Sequence, residues 1–148
     1  MQIVRAHREH LELLTPLFDA YRVFYQQTSD PERARQFLEA RLRAGDSIIY
    51  LAHDGDQGLG FTQLYPTFSS VSMERFYILN DLYVRPADRR RGVGEALLAR
   101  SQELARTESW KGLALETACD NPAQSLYEKM GWEKSTDFYH YFWSRSQP

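Results

Sequence analysis

Apolar positions along the chain switch between strand-like and helix-like spacing. Gln2–Ala6 carries Ile3 and Val4 and reads as a first strand. Glu9–Gln27 sets Leu14, Leu17, Phe18, Tyr21, Phe24 and Tyr25 at helical intervals, with Pro16 as a kink or a first-turn residue. Ser29-Asp30-Pro31 is a capped start to a second helix, which buries Ala34, Phe37, Leu38 and Leu42 and stops at Gly45. Ser47–His53 is an apolar strand, followed by a turn at Asp54-Gly55-Asp56. Gly60–Phe68 alternates as a strand interrupted at Pro66, and Arg75–Val84 is a long strand. Gly92–Glu108 is a helix facing inward through Val93, Leu97, Leu98 and Leu104. Gly112–Ala118 is a strand, Pro122–Met130 a short helix closed by Gly131, and Asp137–Trp143 an aromatic terminal strand.

This order mixes hairpin-connected strands with two strand–helix–strand crossovers. It predicts an α+β fold whose mixed, mainly antiparallel sheet has about seven strands, flanked by about four helices. The chain has 148 residues, which is one domain's worth, and no composition shift marks a second.

Composition narrows the partners. Net charge is -2, so no broad basic field is available to gather nucleic acid or an anionic membrane. No stretch approaches a membrane span, and the first residues lack the apolar core of a signal peptide. Cys119 is the single cysteine, which rules out an intramolecular disulfide and fits a reducing, cytoplasmic setting. His7, His10, His53 and His140 have no metal-ligand spacing. Aromatics reach 14%, more than a core of this size requires, so some should line a site.

The most informative stretch runs from Leu82 to Leu98. A strand passes through the basic turn Arg89-Arg90-Arg91-Gly92-Val93-Gly94 into a helix. A helix start offers unpaired N–H groups and a positive dipole end, and glycine lets a diphosphate approach the backbone closely. The alternative is a solvated basic loop capped by glycine. Neither a Walker loop nor the dinucleotide GxGxxG is present. A second element, Asn121-Pro122-Ala123-Gln124-Ser125-Leu126-Tyr127-Glu128-Lys129-Met130-Gly131-Trp132, reads as a helix capped at Asn121 that presents Tyr127. On its own, it reads first as an ordinary capped helix ending in glycine with a buried tyrosine.

Together the two elements resemble the GNAT superfamily of N-acetyltransferases. Arg89 to Gly94 is similar to its R/Q-x-x-G-x-G/A signature. Asn121 to Trp132 resembles its N-x-x-A-x-x-L-Y-x-x-x-G-F/W signature. Ile78-Leu79-Asn80-Asp81-Leu82-Tyr83-Val84 looks closest to the branch that acetylates polyamines, histone tails and small amino compounds.

The resemblance implies transfer of an acetyl group from acetyl-CoA to a primary amine of a small molecule or peptide. Main-chain groups near Leu82 and Val84 would pair with the pantetheine arm. The N–H groups of Arg89, Arg90, Arg91, Gly92, Val93, Gly94 and Glu95 would hold the pyrophosphate, and Asn121 would fix the arm or cap its helix. Tyr127 would protonate the departing thiolate, or stabilise it by hydrogen bonding; a phenol near ~10 can serve a thiol of ~8.5. Related enzymes carry a glutamate where this chain has Asn80. An asparagine can orient water but is no base, which leaves Asp81 as the candidate, on the opposite face unless a bulge intervenes.

Tyr21, Tyr25, Phe68 and Glu74 are the acceptor-site candidates, an aromatic wall with a carboxylate that suits a cationic amine. Each is also explained as a packing residue. Cys119 is expected to be a small buried hydrophobe. The rival readings are an acyl-CoA sensor of the same fold and a nucleic-acid domain using Arg85, Arg89, Arg90 and Arg91. The net charge of -2 counts against the second. The terminal segment is aromatic on both faces, with Phe138, Tyr139, Tyr141, Phe142 and Trp143, and predicts a homodimer through the C-terminal strands.

Overall fold

The computed structural model of the protein describes residues 1–146. Its strands are β1 (Gln2–Arg5), β2 (Ile48–Asp54), β3 (Gln57–Ser69), β4 (Glu74–Val84) and β5 (Leu113–Ala114). Its α-helices are α1 (Leu11–Phe24), α2 (Pro31–Ala44), α3 (Val93–Thr107) and α4 (Gln124–Lys129). The sheet runs β1-β2-β3-β4-β5, antiparallel as far as β4 and parallel between β4 and β5. The α+β class and the mainly antiparallel sheet are as expected. The strand number is five among the described residues rather than seven.

Local chemistry sets the helix ends. The Asp30 side chain accepts from Arg33 N at 3.1 Å, with Pro31 in the first turn, so α2 starts where the capping sequence places it. Gly45 ends it in the left-handed conformation, φ 64°, donating to Arg41 O at 2.9 Å. The α1–α2 connection is held by buried Asp19, which accepts from Ser29 Oγ at 2.6 Å and Asp30 N at 2.8 Å. Pro16 lies inside α1 rather than in its first turn.

One face of the sheet packs under α1 and α2. Leu11, Leu14, Leu17, Phe18, Ala34 and Leu38 meet Ile49, Leu51, Phe61 and Tyr83 in a single apolar cluster. Val93, Leu97, Leu98 and Leu104 of α3 are also buried, and α3 packs on β2, β3 and β4. Ile48 to Ala52 of β2 are therefore buried without alternation, as expected of a strand covered on both faces. At Gly60 the approach to β4 is so close that a Cβ would sit 2.5 Å from Tyr83 O.

The chain divides into two compact units, residues 1–116 and residues from 117 onward. The sheet and α1 to α3 make up the first. In the second, α4 is followed by a turn at Gly131, φ 86°. Asp137–Trp143 forms no strand: these residues have no ladder partner, and aromatic β-propensity alone supplies no hydrogen bonds. Gly112–Ala118 shortens to Leu113–Ala114 for a related reason. β5 pairs only with Tyr77 and Ile78, just before a bulge re-aims β4.

Candidate active site

The bulge decides what β4 presents. On β3, Leu64 pairs with Leu79 and the adjacent Gln63 pairs with Asp81, so Asn80 is the extra residue. Beyond the bulge Asp81 and Tyr83 share a face with their partners Gln63 and Phe61, under α1. Asn80 itself is exposed, whereas Asp81 is only 3% exposed. This is the bulge on which the placement of Asp81 depended.

Asp81 is closely held. Its Oδ2 accepts from Gln63 Nε2 at 2.7 Å and its Oδ1 from Asn80 Nδ2 at 3.0 Å. The relay continues inward, because Gln63 Oε1 accepts from buried Ser47 Oγ at 2.9 Å. Tyr21 lies against the same group and donates its hydroxyl to Asn80 O at 3.4 Å. Burial raises the Asp81 carboxyl above the ordinary range, opposed by hydrogen bonds from Gln63, Tyr21 and Asn80. The carboxylate acts back on its neighbours. Burial and then Asp81 push the Tyr65 phenol up to about 12, and the same two causes raise Tyr21 further.

The basic loop is built on a buried anion. Asp88, 2% exposed, accepts from Arg85 Nε at 2.7 Å and from Arg91 Nη1 at 2.6 Å. Arg89 donates through Nε to Val84 O at 3.0 Å and lies 5.7 Å from the Phe24 ring. Arg89 and Arg91, two of the three arginines of the basic turn, are thus tied to the protein. Among the described residues Arg90 makes no such bond, and it sits at φ 59° on the exposed turn. Gly92 follows at φ 79° with open space where a Cβ would be. The first bond of α3 runs from Ala96 N to Gly92 O, so the N–H groups of Val93 and Gly94 have no place in its ladder. Among the described residues, strand β4 between Leu79 and Val84 likewise has no ladder partner on the β5 side. Free amides at a helix start and an unpaired strand edge, both in one unit, suit a ligand with a diphosphate and an extended amide-bearing arm.

In the second unit Asn121 lies three residues before α4 and closes a turn there rather than capping the helix, whose N-cap residue is Ala123. Asn121 Oδ1 accepts from Ala123 N at 2.9 Å and its Nδ2 donates to Thr117 Oγ1 at 2.9 Å. Tyr127 lies in α4, its ring 6.0 Å from that of Trp132. Cys119 is exposed, contrary to its expected burial, because it lies in the loop before α4 rather than in a strand.

The acceptor-site candidates separate into two groups. Tyr21 and Tyr25 meet edge to face at 5.0 Å beside Asp81. Phe68 and Glu74 lie at the β3–β4 hairpin tip, roughly 20 Å along β4 from Asp81 at the strand rise per residue. Phe68 is 68% exposed, with Arg75 5.1 Å from its ring. Sequence reasoning missed Ser47, Gln63, Tyr65 and Asp88. A signal existed for two of them. Arg85, Asp88 and Arg91 are three apart in a row, and Gln63 is a polar residue inside the apolar run Leu59–Leu64.

Residues 45–134 match the acetyltransferase (GNAT) domain. The chain belongs to the GNAT acetyltransferase family. It is 47% identical over 142 residues, 95% of each chain, to "Uncharacterized N-acetyltransferase YhfO" of Bacillus subtilis. It is 31% identical over 134 residues, 90% of each chain, to "Probable acetyltransferase" of Haemophilus influenzae. A crystal structure of a probable acetyltransferase covers 100% of both chains with a TM-score of 0.92 and 45% identity. An aminoglycoside N-acetyltransferase solved with CoA shares the fold alone, at a TM-score of 0.80 and 20% identity over 97% of this chain and 94% of that one. As a GNAT protein the chain is an acetyl-CoA-dependent N-acetyltransferase. The narrower resemblance to the polyamine- and histone-acetylating branch finds no support in these relatives. No helix among the described residues is long and apolar enough to cross a membrane. No group of three or more candidate metal ligands occurs among them.

Proposed function

We propose that this GNAT enzyme transfers the acetyl group of acetyl-CoA to a primary amine of a small molecule or peptide. The carrying observation is the pairing of the open β4 edge beyond Ile78 with the unsatisfied amides at the start of α3. Main-chain groups near Leu82 and Val84 bind the pantetheine arm. The turn from Arg89 to Glu95, centred on Gly92 and Gly94, binds the pyrophosphate. Asp88 shapes that turn from beneath, and Asn121 orders the turn that leads into α4.

Acetyl-CoA supplies the activated thioester. The amine nitrogen, as free base, forms the new C–N bond while the C–S bond breaks. Tyr127 gives its proton to the sulfur, and the nitrogen's proton returns to Tyr127 through water. Tyr21 and Tyr25 form the acceptor end, where aromatic faces favour a cation, with the Asp81 carboxylate buried behind them. Phe68 and Glu74, at the hairpin tip, contribute only to a long acceptor. The enzyme acts in the cytoplasm and pairs with a second copy through residues 137–143.

The test is calorimetric titration of acetyl-CoA into the protein, then thiol release with an aliphatic diamine, an aminoglycoside, an amino acid and an alanine-terminated peptide. Binding with release for one amine class supports the proposal and names the acceptor. Binding without release across the panel supports an acyl-CoA sensor instead. Absence of binding refutes the assignment of the loop.

A further inference from the structure

Asn80 occupies the extra position of the β4 bulge and has an exposed side chain directly beside a buried carboxylate. An exposed asparagine amide ordinarily turns either end to solvent, since its oxygen and nitrogen are nearly the same size. Here it is not free to do so. An ionised carboxylate only accepts hydrogen bonds, so the Asn80 Nδ2 must face Asp81 Oδ1, 3.0 Å away. Asp81 in turn is held by Gln63 Nε2 at 2.7 Å, and Gln63 by Ser47 Oγ at 2.9 Å. Because the carboxylate only accepts, Asp81 fixes the orientation of both amides, Gln63 in the interior and Asn80 at the surface of β4. Asn80 Oδ1 is left facing away from Asp81, with no protein partner among the described residues. Tyr21, which donates to the Asn80 backbone carbonyl at 3.4 Å, stands beside it.

We propose that Asn80 Oδ1 accepts an N–H of the incoming amine, and that Asp81 is a positioning residue holding Asn80 in that orientation. This rests on the acetyltransferase reading above. A carbonyl oxygen that takes one N–H leaves the nitrogen lone pair turned away from Asn80, so the contact selects acceptors with an N–H to give. Asp81 acts on the amine through Asn80 and does not touch it.

Reversing the polarity of the relay tests this. In Asp81→Asn the accept-only group is lost, and where the new amide offers its nitrogen to Asn80, Asn80 turns its oxygen inward and presents N–H to the amine. Asn80→Ala simply removes the acceptor, at an exposed position where no core packing is lost. For the best amine of the panel, Asn80→Ala should raise KM about 10-fold, as loss of one hydrogen bond of about 1.4 kcal/mol would. Asp81→Asn should raise it at least as much. Acetyl-CoA affinity by calorimetry should stay within about twofold in both, since the β4 edge binds through main-chain groups that a side-chain change leaves in place and neither change touches the α3 turn. The double variant should be no worse than Asp81→Asn alone.

An unchanged amine KM in Asn80→Ala, with acetyl-CoA binding and wild-type thiol release intact, overturns the inference while the function stands. Additive losses in the double variant overturn the relay and leave Asp81 a separate role. A wild-type protein that neither binds acetyl-CoA nor releases thiol refutes the acetyltransferase reading, and the inference with it.

Discussion

Arg91 Nη1 lies 2.6 Å from Asp88 Oδ1, with the carboxylate buried and the guanidinium exposed. Arg85 holds the other oxygen of the same carboxylate, so Asp88 pins both ends of the turn that leads into α3. Asp88→Ala releases two arginines that can rehydrate, which moderates the cost to roughly 1–3 kcal/mol. The expected result is a lower melting temperature and acetyl-CoA affinity weakened about 10-fold, read by thermal melting and calorimetry. Full affinity in a folded variant would mean that the turn holds its shape without the anion.

Gly94 is the second residue of α3, where its N–H has no place in the helical ladder. Gly94→Glu puts a side chain and a negative charge where a diphosphate would sit. Binding of acetyl-CoA should fall by at least roughly 10-fold with little change in melting temperature. Retained affinity would place the pyrophosphate elsewhere.

Tyr127→Phe removes a hydroxyl while keeping the ring that neighbours Trp132. Turnover should fall roughly 100-fold if the hydroxyl delivers the thiolate's proton, with acetyl-CoA affinity nearly unchanged. Steady-state kinetics with calorimetry separates the two, and an unaltered kcat removes the acid role.

Burial raises the Asp81 carboxyl above its ordinary 3.8, so the folded protein keeps this proton to higher pH than the unfolded chain does. The group therefore favours folding most below 3.8, and its contribution falls as pH rises through the folded value. Asp81→Asn removes the titration. Relative to wild type, the variant should gain stability as pH climbs from below 3.8 toward neutrality, measured by urea midpoints at a series of pH values. A flat difference would mean that the hydrogen bonds cancel the burial cost.

Phe138, Tyr139, Tyr141, Phe142 and Trp143 are between 76% and 91% exposed. So much apolar surface in one short segment is costly to leave in water. Sedimentation at micromolar protein should show a dimer, and deleting residues 137–148 should abolish it. A wild-type protein that stays monomeric would dismiss the pairing.

Much of the fold was legible because local signals named it. Asp30-Pro31 and Gly45 bracket α2 through the backbone groups they satisfy or free, and those are matters of neighbouring residues. The glycine turn before α3 and the order of elements were readable for the same reason. Strand number was not. A strand exists only with a partner, and the aromatic alternation of residues 137–143 carries no information about whether one is present.

The site divides along the same line. The sequence by itself determined that a basic glycine turn enters a helix, that a short helix bears Tyr127, and that both belong to an acetyltransferase pattern. These follow from residues adjacent in the chain. Only the tertiary structure decided that Asn80 is the extra residue of a bulge and that Asp81 turns inward onto Gln63 and Ser47. It alone decided that Arg91 serves Asp88 rather than standing free in solvent. Register between strands and the burial of a charge are set by contacts between segments distant in sequence, and side-chain pattern along one strand cannot report them.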